Sequence, residues 1–414
     1  QKMFNFRPQE LTKVETTGNQ LRGIHCPSPR SGHRIVVTCG NAYSCGGYNP
    51  ISVDDAVEHI LFKELWVFNI VSKTWKHLKT SGNAPEELAS HCAAFIDNHL
   101  LIFGGTAYPF GAKSSNDAHI CNLKTLQWSK LETTGTPPKK QYGQAMAIFE
   151  NKMYVVGGTS GYAYSNEVHC LNLATKEWRQ LNKCVGPSHL RSEYEPEPRY
   201  RHEIAIEDNK LFVFGGGTAA ESFELSRLPV FNLDTNTWFQ IATTGDCPEP
   251  RRCHSCVQIK SDVYICGGLD AVHNYSCLYK INLKTLVWEK LKISLPYPLY
   301  FHAAASSESN QLFIFGGVNG HENQRTNDMF SLFLNIPSLE TIAWQAVLHY
   351  APYLALTEKQ KLFELGIPIS FLNEIEFVPP TKMVSNGEMS KGDEEVMIVL
   401  SEGGDDDDDE WEDL

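Results

Sequence analysis

Six paired glycines constrain this chain more than any other feature. They stand at 46–47, 104–105, 157–158, 215–216, 267–268 and 316–317, at intervals of 58, 53, 58, 52 and 49 residues. Five of the six follow a short apolar run, such as Leu101-Ile102-Phe103 or Leu211-Phe212-Val213-Phe214. Runs of this length and composition read as strands buried on both faces. The glycines then let the chain turn where a Cβ would clash. A second period runs alongside. Trp75, Trp128, Trp178, Trp238 and Trp288 each lie 21 to 29 residues after a glycine pair, and each precedes an aliphatic residue by three. Ahead of each tryptophan stands a strand and a hairpin turn, as in Phe231-Asn232-Leu233 and Asp234-Thr235-Asn236. Each unit is therefore four short antiparallel strands. One such sheet cannot cover both of its own faces, and packing six around an axis solves the problem. The expected fold is an all-β six-bladed propeller over residues 9–335, preceded by a short segment, 1–8.

The sixth glycine pair has no tryptophan strand after it. The missing strand is found at the other end of the chain. Leu11-Thr12-Lys13-Val14-Glu15-Thr16-Thr17-Gly18 matches Trp128-Ser129-Lys130-Leu131-Glu132-Thr133-Thr134-Gly135 position by position, with Leu11 in place of Trp. The N-terminal strand is expected to complete the sixth sheet and close the ring, which removes the free sheet edges that invite aggregation.

From Ile336 the apolar period shifts from two toward 3.6. A helix is expected after Pro337, with Leu339, Ile342, Ala343, Ala346, Val347 and Tyr350 on one face. Pro352 ends it. Thr357-x-x-Gln360 reads as a capping box for a second helix ending near Gly366, and a third runs from Ile369 to Ile375. This helical box, 336–378, is too short for an independent core, so its apolar stripe is expected to bury against the propeller or a partner. Residues 379–414 read as a disordered acidic tail, with Val396–Leu400 as an apolar island. Twelve of the 49 acids fall in 393–414, so the net charge of −13 leaves the rest of the chain at −1. No basic field argues for nucleic acid. No apolar run is long enough to cross a membrane, and Gln1-Lys2-Met3 begins no secretory signal. Most of the 12 cysteines sit in apolar runs, as reduced cysteines do, so a reducing cytoplasmic or nuclear setting is expected.

The glycine-pair and tryptophan spacing resembles the kelch repeat. The helical box carries a second resemblance. Ser338-Leu339-Glu340-Thr341-Ile342-Ala343-Trp344-Gln345-Ala346-Val347 resembles a BC-box, the helix that binds Elongin C. Its pattern places Leu first, a small residue four later, then an aliphatic. Leu339, Ala343 and Val347 match it, with Ala where Cys is commonest. Ile367-Pro368-x-x-Phe371-x-x-x-Ile375 resembles a downstream cullin-2 box. Together the chain resembles the kelch substrate receptors of cullin-2 ubiquitin ligases. That resemblance implies a non-catalytic adaptor with Elongin B, Elongin C and cullin-2 as partners, and no cofactor. It also implies that the propeller binds the extreme C-termini of substrates, often ending in Gly or Ala.

Such a receptor needs donors for a terminal carboxylate. In kelch rings the residues just before each blade's first strand rim one mouth. There Arg199, Arg201, Arg251 and Arg252 make a local basic cluster, with Arg201 first and Arg252 second as carboxylate ligands. Tyr142, Tyr200, Tyr300 and Phe301 are expected to wall the peptide, with Tyr108, Tyr162, Tyr164 and His321 in the loops after the glycine pairs as further contacts. His33, His91, His202, His254 and His302 recur in one register, as structural residues do. Cys253-x-x-Cys256 lacks the second pair a zinc site needs, so no metal is expected. The competing readings are a scaffold or actin-binding kelch protein without a ligase link, and a metal-dependent enzyme on a kelch ring.

Overall fold

The computed structural model describes residues 3–15, 26–38, 40–53, 56–182 and 194–375; the expected tail, 379–414, lies outside this set. The described chain is mostly β and propeller-like, with six sheets of four or five strands and two smaller ones. The second sheet is representative. Strands Cys92–Ile96, His99–Thr106, Ser114–Asn122 and Gln127–Lys130 run antiparallel in sequence order. A fifth strand, Ser81–Gly82, comes from the preceding repeat and pairs in parallel with the tryptophan strand. The sixth sheet holds Ala303–Ser306, Gln311–Phe315 and Met329–Phe333, and its fourth strand is Thr12–Lys13. Thr12 faces Ser331 and Lys13 faces Phe330. Gln9 takes φ 57°, the same left-handed conformation as Leu126, Lys176, Asn236 and Leu286 two residues before their tryptophans. Leu11 therefore occupies the tryptophan register of its sheet.

One backbone feature ties the six sheets together. Gly32 N–H donates to Phe301 O at 2.9 Å, Phe301 to Cys253 at 3.0 Å, and Cys253 to Arg201 at 3.1 Å. Arg201 donates to Gly143 at 2.7 Å, Gly143 to Ser90 at 3.0 Å, and Ser90 back to Gly32 at 2.7 Å. Each repeat contributes one residue to this closed cycle, and all six have φ between 54° and 66°.

The next residue in each repeat is a wedge. It is His33, His91, Gln144, His202, His254 or His302, and all six are buried. A Cβ on Gly216 would sit 2.5 Å from His202 Cβ in its own sheet, and one on Gly157 would sit 2.7 Å from His202 Cε1 across the sheet boundary. Both glycines have positive φ. The glycine pair thus makes room for the wedge of its own repeat and of its neighbour. Further out, the tryptophans join adjacent sheets. Trp178 lies 5.3 Å from Phe103 of the preceding repeat, and Trp75 lies 5.0 Å from Phe315 of the sixth. The cluster around Trp75 holds Ile35 and Phe68 of the first repeat with Ala303, Phe313 and Met329 of the last.

Three helices follow: α1 Leu339–Tyr350, α2 Lys359–Glu364 and α3 Ile369–Ile375. Ser338 caps α1 by accepting from Thr341 N at 3.1 Å. The capping box expected at Thr357 does not form. Thr357 instead ends a 3-10 turn, Pro352–Leu356, and its hydroxyl donates to Tyr353 O at 2.9 Å, which leaves Glu358 to start α2. The face that α1 packs inward lies outside the stripe read from the sequence. It is Trp344, stacked 4.8 Å from Phe371, with Leu348 against a small core of Leu354, Leu362 and Leu372. The N-terminal segment reaches this block, since Phe4 N–H donates to Tyr350 Oη at 2.9 Å and its ring lies 5.7 Å from His349, while Phe6 packs edge-on to Phe333 of the sixth sheet.

Burial holds His91, His202 and His302 near pKa 3, and His33 and His254 well below the ordinary 6.5. Below pH 6.5 the unfolded chain binds these protons and the folded one does not. Stability is therefore full above that pH and falls as pH drops, by about 1.4 kcal/mol per pH unit for each histidine. Urea denaturation between pH 7 and 5 is expected to show this steep loss. His202→Gln, which copies Gln144, is expected to reduce the slope by one proton. A flat profile would contradict the role of the wedge.

Candidate functional site

The residue before each ring position stands on one side of the ring. These are Ser31, Ala89, Tyr142, Tyr200, Arg252 and Tyr300, and each pairs with the residue that follows its repeat's glycine pair. This is the mouth. At its centre the axis is nearly shut. A cavity of about 20 Å³, lined by ring and wedge residues, has room for about one water. Beneath it Arg34 of the first repeat meets Glu203 of the fourth at 2.9 Å and donates to His91 O at 3.0 Å. The mouth therefore has a floor.

Arginines of neighbouring register have opposite fates. Arg199 and Arg251, two residues ahead of the ring, are buried. Arg199 Nε donates to Glu197 O at 3.0 Å and Nη1 to Gly215 O at 2.9 Å, with the guanidinium 4.3 Å over Phe223. Arg251 repeats the pattern with Glu249 O, Gly267 O and Tyr275, and adds a 2.8 Å ion pair to the Glu249 carboxylate. Arg30 does the same in the first repeat. These side chains hold the turn after the glycine pair, and burial pulls Arg199 down to about 10.

Arg201 sits on the ring itself, partly exposed. Its Nη2 donates to Ser90 Oγ across the axis, and its guanidinium lies 4.5 Å over Phe301. Its Nε has no hydrogen-bond partner among the described residues. Burial lowers its pKa. Arg252 lies on the rim, with Nη1 donating to Ser222 Oγ at 2.7 Å. No carboxylate stands within ion-pair distance of either among the described residues. Tyr142, Tyr200, Tyr300 and Phe301 are all partly exposed around them, and burial raises the three phenols. Tyr164 packs 5.3 Å from Tyr200, and Tyr300 lies 5.5 Å from Phe301.

Sequence reasoning missed part of this face. Arg325, from the loop after the sixth glycine pair, lies 5.5 Å over Tyr48 and also lacks a carboxylate among the described residues. Its only side-chain bond there is a long 3.4 Å contact with Ser31 Oγ. Beside it His59 stacks 3.7 Å from Tyr108, with Phe110 at 4.8 Å from Tyr48. These residues come from loops of the first, second and sixth repeats. Of these only Tyr108 was a candidate from the sequence, as an aromatic in a loop after a glycine pair.

On the helical box, Leu339 is 85% exposed, Val347 39%, and Ala343 is exposed between them. Of the cullin-box residues, Pro368 is exposed, Ile367 joins the small core and Phe371 stacks on Trp344. Ile375 ends α3, and its side chain lies outside the described set. All cysteines among the described residues are free. No group of three metal-ligating side chains occurs among those residues, and no helix there is long and apolar enough to cross a membrane.

The repeats and the mouth define a class. The KLHDC2/KLHL20/DRC7 Kelch-repeats domain matches residues 2–194 and 188–347, so the chain belongs to the kelch-repeat family. Kelch-repeat proteins are typically non-catalytic interaction modules. The chain is 43% identical to Kelch domain-containing protein 10 of Homo sapiens over 356 residues, covering 84% of this chain and 79% of that protein. It is 36% identical to the Drosophila melanogaster homolog over 412 residues, covering 92% and 66%. Kelch domain-containing protein 2 of Bos taurus is 25% identical over 390 residues, covering 85% and 92%.

The two kinds of arginine separate in a stability measurement. Arg199→Ala orphans buried carbonyls and is expected to cost about 2–3 kcal/mol. Arg201→Gly relieves a left-handed residue and is expected to cost about 1 kcal/mol or less. Chemical denaturation of the two variants checks this, and equal losses would contradict it.

Proposed function

We propose that the six sheets form a closed six-bladed propeller and that this chain is the substrate-recognition subunit of a cullin-2 RING ubiquitin ligase. One observation carries the reading. Leu339, Ala343 and Val347, at i, i+4 and i+8 of α1, stand as an exposed apolar stripe while Trp344 serves the block's own core. A helix with a second apolar face turned outward fits a partner's groove. Elongin C takes that stripe, Elongin B accompanies it, and cullin-2 engages the region of Ile367, Pro368, Phe371 and Ile375. The adaptor has no catalysis of its own and works in the cytoplasm or nucleus. Its substrates are marked for proteasomal degradation.

The mouth supplies the substrate end. A terminal carboxylate is an anion with two acceptors, suited to an arginine fork. Arg201 meets it at the axis, with Arg252 at the rim. Ser90, Phe301 and the narrow axis leave little depth beyond the carboxylate, which favours Gly or Ala as the last residue. Tyr142, Tyr200 and Tyr300 flank the preceding residues.

Co-expression with Elongin B and Elongin C tests the reading. The wild-type chain is expected to co-purify with both in equal amounts. Leu339→Arg, with an unchanged thermal melt, is expected to lose them, because a buried unpaired charge replaces the anchor. Failure of the wild-type chain to bind would leave a kelch scaffold without a ligase link as the better account.

A further inference from the structure

Three sheets carry a fifth strand, and among the described residues the sixth sheet has none. Ser81–Gly82, Thr134–Gly135 and Thr244–Gly245 each pair in parallel with the tryptophan strand of the following repeat. Their geometry is nearly invariant. The first residue donates to the carbonyl two before the tryptophan at 3.0 Å in all three. The residue after the glycine donates to the tryptophan carbonyl at 3.0–3.1 Å. The glycine itself has φ 82–83°, and a Cβ there would stand 2.2 Å from the tryptophan carbonyl oxygen. Only glycine fits the middle of this slot.

In the sixth sheet the equivalent acceptors are the carbonyls of Gln9 and Leu11. The chain arriving from the fifth repeat does not supply the strand. It stays in the long strand Val287–Ser294 and turns away at Pro296. No described residue bonds the Gln9 or Leu11 carbonyl. Val14 N–H donates to Met329 O, so Val14 and, by alternation, Thr12 form the hydrogen-bonded pairs with the neighbouring strand. The main-chain groups of Leu11 and Lys13 then point outward. Beside them lies a cavity of about 410 Å³, lined by Leu11, Lys13, Ser294, Pro296, Tyr297 and Phe330, with Asp328 at its edge. That volume is within the ~300–1,000 Å³ range of ligand clefts. Leu11 in place of tryptophan widens it. Its walls are built: Tyr297 donates to one Asp328 oxygen at 2.7 Å, and Lys13 pairs with the other at 2.7 Å.

We propose that this slot is a strand-addition site for an extended segment of a partner protein carrying a Ser-Gly or Thr-Gly dipeptide. The three sibling slots define that chemistry. Main-chain bonds to Gln9 and Leu11 supply affinity, and the glycine requirement supplies selection. The site is independent of the mouth and of the helical box.

The probe is a fluorescent peptide copying residues 131–137, acetylated and amidated, titrated to millimolar against the full chain. Saturable polarisation is expected, weakened at least tenfold when Gly135 of the peptide is replaced by Val. Ser294→Trp fills the slot from the opposite wall and is expected to lose binding, without touching the strand. No saturable binding, equal binding of the valine peptide, or retention in Ser294→Trp would overturn the proposal. A concentration-dependent dimer that Ser294→Trp abolishes would overturn it in favour of a second copy of this chain.

Discussion

The cycle of six backbone hydrogen bonds around the axis is the constraint on which the rest depends. Its geometry demands a left-handed conformation at one residue in every repeat. Glycine satisfies that demand without strain, yet only Gly32 and Gly143 are glycines. Ser90, Arg201, Cys253 and Phe301 hold the same conformation, at a cost of about 1–3 kcal/mol each. Such strain persists where the surrounding structure overrides it, and it clusters at functional sites. Here Arg201 meets both Ser90 and Phe301 at the axis. The residues before the ring become the mouth, and those after it become the wedges between sheets.

The same cycle explains why arginines so close in sequence do unlike work. Arg199 and Arg201 are two apart, and on a regular strand they would share a face. The left-handed kink at 201 breaks that alternation. Arg199 turns into the protein, where carbonyls and an aromatic ring hold it. Arg201 turns to the axis, where a hydroxyl and the face of Phe301 leave donor capacity unused. Arg252 has the register of Tyr200 and not of Arg201, so these two arginines reach the mouth from different rings of positions.

Much of this was legible in the sequence. The glycine pairs and tryptophans gave the number of sheets, and the match of Leu11 to Trp128 located the strand completing the sixth. The wedge histidines were legible because they recur. What remained hidden is long-range. A list of four arginines did not separate buried from open ones, because the separation depends on a φ angle. Arg325 and the Tyr48, His59, Tyr108 and Phe110 cluster assemble from loops of three repeats, and no local pattern announces such an assembly. The inward face of α1 was not legible, because Trp344 finds its partner, Phe371, 27 residues later.

The claim at the centre of this account is that the mouth reads a free terminal carboxylate through Arg201. The most direct measurement compares a peptide pool ending in glycine as the free acid with the same pool as the C-terminal amide, by affinity selection on the full chain. The account predicts enrichment from the acid pool, at least tenfold less from the amide pool, and no difference between pools for Arg201→Gly. Equal enrichment from acid and amide on the wild-type chain would contradict it.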